Sequence, residues 1–293
     1  TVLAITRGLG DALRIGYQHR PDIFARHIVL PEQLHTWMVE IEERLRADGT
    51  VEQPLDRERA RADLQAAYAG GYRAVAIVLM HGYRYHQHEL AVAEIARSIG
   101  FTQVSVSHAV SPLMKIVGRG DTTVVDAYLS PILRAYVDRV AAATGDVRLM
   151  FMQSNGGLVD AHLFQGKDAI LSGPAGGIVG AARTAALAGF DRIVGFDMGG
   201  TSTDVTHYAG AFERAFDTEV AGVRMRAPMM KIHTVAAGGG SIIAFDGQRF
   251  RVGPESAGAN PGPACYGRGG TFPTVTDANV VLGRISASNL LGG

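Results

Sequence analysis

The stretch GFDMGGTSTD, residues 195–204, decides how this chain is read. An apolar run predicts a strand over 193–197 that delivers Asp197 to a strand end. Gly199 and Gly200 lack a Cβ, so their backbone can approach a ligand closely and take positive φ. Thr201, Ser202 and Thr203 add hydroxyls and successive N–H groups, the ingredients of an anion-binding concavity. Asp197 and Asp204 do not bind phosphate directly, but they suit a hydrated Mg2+ or an attacking water. A second strand is predicted over 204–208, which makes the segment strand–turn–strand. It is not a Walker loop: there is no G-x-x-x-x-G-K, and a strand follows where a helix belongs. The plain alternative is a tight β-hairpin with polar caps.

Other segments carry comparable signals. In TVAAGGGSI, residues 234–242, Gly238, Gly239 and Gly240 lie between two apolar strands. They permit close approach of a ligand, or simply a glycine-rich bulge or close strand crossing. Two such loops so near each other favour a shared ligand. Ser154-Asn155-Gly156-Gly157 follows a predicted strand, and the carboxyl end of a strand is a frequent ligand position. A plain turn is the alternative there. Ser172-Gly173-Pro174 opens a helix, as an anion site or a serine cap. His81, His86, His88 and Glu89 are dense in potential ligands, but their spacing matches no zinc signature. The histidines read as solvent-facing groups at a helix start. His108 ends a predicted strand, and its role stays open. Cys265 has no basic partner nearby in sequence and reads as non-nucleophilic.

The 293 residues are 47% hydrophobic, enough for one large domain or two ordinary ones with an ample core. Basic and acidic residues balance at 28 each, so there is no electrostatic footprint for nucleic acid or an anionic membrane. The single cysteine excludes an internal disulfide and fits a reducing cytoplasm. No apolar run approaches the ~20 residues needed to span a bilayer, and no signal-peptide pattern is visible. Thr1 opens inside an apolar run and the chain stops at NLLGG, so an excised portion of a longer protein is expected.

Strands are predicted over 1–6, 73–80, 102–107 and 147–152, and helices over 31–48, 56–69, 86–98 and 121–143. Asp121 is read as the cap of the last helix and Gly145 as its stop. This alternation indicates an α/β layer. A helix of small residues follows over 172–189. Short strands then dominate, at 193–197, 204–208, 211–216, 231–235, 242–245 and 248–252. A glycine-rich loop over 253–270 leads to a helix beginning near Thr276-Asp277. The subdomain boundary is placed between Leu171 and Ser172: 1–171 is a first α/β subdomain with a connector helix, 172–293 a second.

Together these segments resemble the hydantoinase A / 5-oxoprolinase family, whose relatives include acetone carboxylase subunits. The matching pieces are Thr6-Arg7-Gly8 with Asp11 and Ile15-Gly16, Ser107-His108 with Ser111-Pro112, TTVVDAYLSP (122–131), MQSNGGL (152–158) and LSGPAGG (171–177). The 197–204 loop, the 233–242 segment, and 254–267 with Thr276-Asp277-Ala278-Asn279 complete the set. They run in order through nearly the whole chain.

The resemblance implies an α/β fold of the actin, hexokinase and Hsp70 ATPase type, with two RNase H-like subdomains closing on a nucleotide, here incomplete. It makes 197–204 the second phosphate loop and places the crossing connector in 121–143. It implies ATP-dependent opening of a cyclic amide of the hydantoin or 5-oxoproline type, in which ATP activates the carbonyl oxygen and water attacks. Gly199, Gly200, Thr201, Ser202 and Thr203 would contact phosphate. Gly238, Gly239 and Gly240 would border the nucleotide, with Asn155 and His108 in the cleft. Asp197 and Asp204 would be catalytic, Asp197 holding Mg2+. A hydantoinase B-like second subunit or domain is the implied partner, with no nucleic acid and no membrane. The rival readings are an ATP-dependent ketone carboxylase subunit and a non-catalytic nucleotide-binding or assembly module.

The chain departs from the family pattern in four places. The first phosphate loop, a Gly-Gly-Thr-Phe-Thr-Asp element, is absent, as is the late glycine-rich loop. Ala109 stands where the family has Glu after Ser-His, and Leu9 where it usually has Phe. The expectation is a piece that is inactive alone.

Overall fold

Val2–Thr6 (β1) is a strand whose five residues are all buried. Trp37–Ile41 (β2), Ala74–Val78 (β3) and Gln103–Val106 (β4) join it in a parallel sheet of order β2-β1-β3-β4, with Val2 opposite Trp37 on one side and Val75 on the other. A parallel sheet covered on both faces needs near-continuous apolar strands, which VLAIT and AVAIV supply. The computed structural model describes residues 1–17, 22–30, 32–220 and 222–289.

One face of the sheet presents Val2, Ala4, Ile41 and Ile77 to Leu64, Val92 and Ile95. Those three sit on the helices Arg57–Ala69 (α1) and Gln87–Ile99 (α2). Asp56 caps α1 by accepting a hydrogen bond from the Arg59 amide, and α2 ends at Gly100 in the left-handed region. The other face presents Leu3, Ile5, Ala76 and Val78 to Val124 and Ala127 of Ile116–Thr144 (α3). The alternation along β1 thus feeds two cores from one strand.

The chain divides into two compact units. The first is Thr1–Ser172 together with Arg214–Met229. The second is Gly173–Glu213 with the remainder from Met230. The returning segment is a two-stranded sheet of Arg214–Val220 and Val223–Met230. Met225, Ala227 and Met229 bury against Val125 of α3, and the Arg226 amide donates to Thr122 Oγ1 at 2.8 Å. That apolar contact assigns the segment to the first unit, although the sequence reading placed all of 172–293 in a second subdomain.

In the second unit, Ser172–Leu187 is a helix, all but its first residue belonging there. It packs Ala175 and Ile178 with Met230, Ile193, Tyr208, Phe212 and Ile232. The strands Arg192–Met198 and Thr203–Ala209 pair antiparallel along their full length, and His233–Val235 joins the free side of the second. Ser241–Phe245 and Phe250–Ser256 form a hairpin whose turn is closed by Asp246, which accepts from the amides of Gln248 and Arg249.

Two expectations fail, and one strand goes unforeseen. Among the described residues of 31–48 no helix forms. Val39 and Ile41 are buried at a spacing of two, and the aromatic and β-branched Trp37–Ile41 becomes a sheet edge. Leu34, Met38, Ile41 and Leu45 matched a helical period by coincidence; Pro31, the supposed start, lies outside the described residues. Asp121 does not cap α3, which begins a turn earlier at Ile116. Gly118 and Gly120 sit in that first stretch because Arg226 and Leu13 occupy the space their Cβ atoms would need. The strand Val223–Met230 was not expected, since its arginines and proline mask the alternation.

Leu64 is fully buried between α1 and the sheet. Leu64→Ala should lower unfolding free energy by about 2–5 kcal/mol, read as a reduced urea midpoint with an unchanged slope.

Candidate functional site

The 195–204 stretch folds as a β-hairpin whose tip is Gly199–Ser202 in number order 199–202. The Gly199 amide donates to the Ser202 carbonyl at 2.8 Å and closes the turn. The next three amides, on Gly200, Thr201 and Ser202, have no acceptor among the described residues. Successive unsatisfied N–H groups on an exposed tip are what an anion requires. Asp197 and Asp204 stand directly opposite each other in the ladder, so their side chains share one face. Thr234, opposite Asp204 on the third strand, donates its hydroxyl to Asp204 Oδ1 at 2.7 Å. Asp197 has no hydrogen bond or ion pair among the described residues, which leaves its carboxylate open. Two facing carboxylates beside free amides suit Mg2+, which takes one or two protein carboxylates and completes its shell with waters and phosphate oxygens. Thr203 is a different case: it is buried, and its hydroxyl donates to the Ala237 carbonyl at 2.6 Å.

The second glycine loop is a platform under the first. The Gly239 amide donates to the Gly199 carbonyl at 2.9 Å, the Gly240 amide to the Gly200 carbonyl at 2.7 Å, and the Gly238 amide to Ser241 Oγ at 2.9 Å. All three donors are therefore spent within the protein. A Cβ on Gly238 would lie 2.7 Å from backbone atoms of Gly200 and Thr201. The close-crossing reading of these glycines accounts for each of them, and they support the tip instead of offering N–H groups to a phosphate. Thr276 secures the platform from below, its amide and hydroxyl both donating to the Gly239 carbonyl at 2.8 and 2.9 Å.

Thr276 is placed by the short helix Val275–Val281, which has a full capping box between Thr274 and Asp277. Asp277 also accepts from the Cys265 amide at 2.7 Å, tying the glycine- and proline-rich loop to that helix. Partial burial and the Asp277 carboxylate push the Cys265 thiol up to about 11, so it stays protonated and non-nucleophilic, as the sequence suggested.

The first unit holds the remaining sequence candidates. Asn155 Oδ1 accepts from the Gly157 amide at 2.7 Å, an Asx turn that shapes its own loop. His108 donates or accepts through Nδ1 at 2.6 Å from Glu89 Oε2, and its ring stacks on His86. His88 does not face solvent as the sequence reading had it, and its neighbour Glu89 is buried with it. Glu89 is fully buried and accepts from the Leu79 and His108 amides and the Ser107 hydroxyl. His88 pairs with the buried Glu43 at 2.7 Å. Among the described residues no group of three or more histidine, cysteine and carboxylate side chains could hold a metal. The glutamate missing at Ala109 has a counterpart in space, since Glu89 meets both Ser107 and His108. Sequence reasoning missed Arg119, which is fully buried and donates to Ser107 Oγ and to the Leu79, Leu113 and Met114 carbonyls. A lone arginine between two glycines in an apolar helix start was the available signal.

Asp121 was read only as a cap. Burial, partly offset by Arg224, raises its carboxyl to about 6. Ionising it in the fold therefore costs stability. The penalty is absent below about pH 4, grows as pH rises through 4 to 6, and is complete above. Asp121→Asn should raise unfolding free energy by about 1–3 kcal/mol at pH 7.5 and by almost nothing at pH 4, in urea titrations at both values. Gly238→Ala should lower the melting temperature and expose the tip to proteolysis, because the methyl group meets backbone that cannot swing away.

Residues 1–100 match the family model described as the hydantoinase/oxoprolinase N-terminal region, and residues 119–293 the model described as hydantoinase/oxoprolinase. The chain is 43% identical to 5-oxoprolinase 1 of Arabidopsis thaliana over 96% of its own length and 24% of that protein. It thus spans about a quarter of the 5-oxoprolinases it matches. The crystal structure of an ATP-dependent caprolactamase from Pseudomonas jessenii superposes with a TM-score of 0.78 at 34% identity, covering all of this chain and 44% of that one. A nucleotide-free acetone carboxylase superposes with a TM-score of 0.77 at 27% identity, covering 99% of this chain and 44% of the other. The chain shares the actin/hexokinase-like ATPase fold with these structures. Matched by both models along most of its length, it belongs to the hydantoinase/oxoprolinase family.

Proposed function

We propose that the chain is part of an ATP-dependent hydrolase that opens a cyclic amide of the hydantoin or 5-oxoproline type. The observation that carries this is the hairpin tip: three consecutive free amides flanked by the opposed carboxylates of Asp197 and Asp204. The relatives support the substrate class, being a 5-oxoprolinase and an ATP-dependent caprolactamase by name.

The chemistry explains the need for ATP. An amide carbonyl is a poor electrophile, and its oxygen is a poor leaving group. Transfer of a phosphoryl group from ATP to that oxygen, with release of ADP, turns it into a phosphate. Water then adds to the carbon, the C–N bond breaks to release the ring nitrogen and leave an acyl phosphate, and a second water hydrolyses that acyl phosphate to give the open-chain acid and phosphate. The amides of Gly200, Thr201 and Ser202 bind the phosphate oxygens, and the Ser202 and Thr201 hydroxyls add donors. Asp197 and Asp204 orient the attacking water. Bound Mg2+ would neutralise phosphate charge, with Asp197 as its carboxylate ligand. Gly238, Gly239 and Gly240 contribute by holding the tip. Asn155 and His108 remain candidates for shaping the substrate side.

A second subunit or domain completes the enzyme in this reading; the caprolactamase relative is itself named subunit alpha. A cytoplasmic location fits dependence on ATP and a single cysteine. No helix among the described residues is long and apolar enough to cross a membrane. The ketone carboxylase reading draws on the acetone carboxylase likeness, at lower identity than the caprolactamase. ADP release measured across lactams, hydantoins and ketones separates the two.

In the full-length protein, Asp197→Asn should reduce substrate-dependent ADP release by about a hundredfold or more. Near-normal turnover in a folded variant would remove Asp197 from the mechanism. ATP with Mg2+ should raise the melting temperature of the wild type, and no shift with ATP or ADP would defeat the nucleotide site.

A further inference from the structure

Within the first unit, a cavity of about 140 Å³ is lined by Leu13, Leu34, Val124 and Val223 with the polar side chains of Asp121 and Arg224. That is the liquid volume of about five waters, and it suits one small ring. Four buried side-chain polar atoms lack a hydrogen-bond partner among the described residues, and two of them, Asp121 Oδ2 and His35 Nδ1, belong to residues of this lining. Buried polar atoms are rarely left unpaired, so two at one cavity point to a ligand that completes them.

The polar wall is built, not incidental. Arg224 Nη2 lies 3.2 Å from Asp121 Oδ2, but it is not aimed as a hydrogen bond, so the oxygen keeps a lone pair open. The guanidinium stacks over the Tyr17 ring at 5.2 Å from its centroid. It also passes across Gly16, where a Cβ would lie within 2.7 Å of Nη1 and the φ of +56° already favours glycine. An acceptor and a donor thus stand side by side against an apolar wall.

We propose that this cavity recognises the cyclic amide itself: Asp121 accepts the ring N–H, Arg224 donates to the adjacent carbonyl oxygen, and the aliphatic side chains pack against the ring methylenes. The proposal rests on the cyclic-amide reading above and assigns it a recognition pocket. The geometry discriminates. An open-chain amide is trans, with N–H and C=O on opposite sides. A small lactam is held cis by its ring and shows both groups along one edge, matching the Asp121–Arg224 pair. The opened product loses that edge, so the pocket selects substrate over product.

The test is calorimetric titration of the full-length protein, without ATP, using 2-pyrrolidinone and its N-methyl derivative. The parent lactam should bind at least about tenfold more tightly, because methylation removes the donor and leaves a buried carboxylate unpaired. Asp121→Ala and Arg224→Gln should lose a similar factor for the parent lactam while binding ATP–Mg2+ as the wild type does. Equal affinity of the two lactams, no lactam binding at all, or wild-type affinity in the folded variants would each overturn the pocket. ADP release separates this from the activity reading. Lactam-driven release with an unchanged KM in the variants rejects the pocket alone. Lactam binding as described without any ADP release rejects the activity and leaves the pocket standing.

Discussion

The candidate site depends on one close contact, backbone against backbone, between two glycine loops. Gly238 lies where any side chain would strike Gly200 and Thr201, and the amides of Gly239 and Gly240 are used on the carbonyls of Gly199 and Gly200. A hairpin tip with three unpaired amides would otherwise be free to twist until those donors found partners. Pinning its carbonyls from below fixes the direction in which the amides point. The division of labour follows from hydrogen-bond accounting: donors of the lower loop are consumed so that donors of the upper loop stay available. Thr276 then pins the lower loop, and the capping box of its helix pins Thr276.

This explains which parts were legible in the sequence. Gly199, Gly200 and the carboxylates at 197 and 204 announced a turn between strands, while the register that sets both carboxylates on one face came from the fold. Gly238, Gly239 and Gly240 gave the same signal for a different reason, since a glycine that touches ligand and a glycine that touches backbone look alike in one dimension. The parallel sheet was legible because burial on both faces forces apolar runs such as AVAIV. Trp37–Ile41 was not, because an edge strand buries only alternate residues, and two buried positions are too few to fix a period. The return of Arg214–Met229 to the first unit was invisible, being decided by three side chains meeting Val125 far away in sequence.

The buried polar residues of the first unit follow a second logic. Glu89 takes four donors, and Arg119 gives to a hydroxyl and three carbonyls, so both are satisfied and serve to lock the ends of β3 and β4 to the start of α3. Burying such groups is tolerable when every hydrogen-bonding position is filled. The density of ligand-type residues over His81–Glu89 resembled a metal site in sequence, but His88 is paired with Glu43 and Glu89 with Ser107, His108 and the Leu79 amide.

Asp121 breaks that rule. Its side chain is partly exposed where Glu89 is fully buried, one oxygen has no aimed donor, its carboxyl is raised to about 6, and the arginine 3.2 Å away is held against Tyr17 and Gly16. A structural network would have closed this gap at little expense, by rotating Arg224 into a bidentate pair. Tyr17 and Gly16 instead fix the guanidinium beside the carboxylate without completing the bond. Strain and unsatisfied charge persist in folded proteins where the surrounding structure enforces them, and such enforcement concentrates where a ligand supplies the missing partner. The contrast between Glu89 and Asp121, two carboxylates in one unit with opposite degrees of satisfaction, separates the part of the polar interior that builds the fold from the part that leaves a group open.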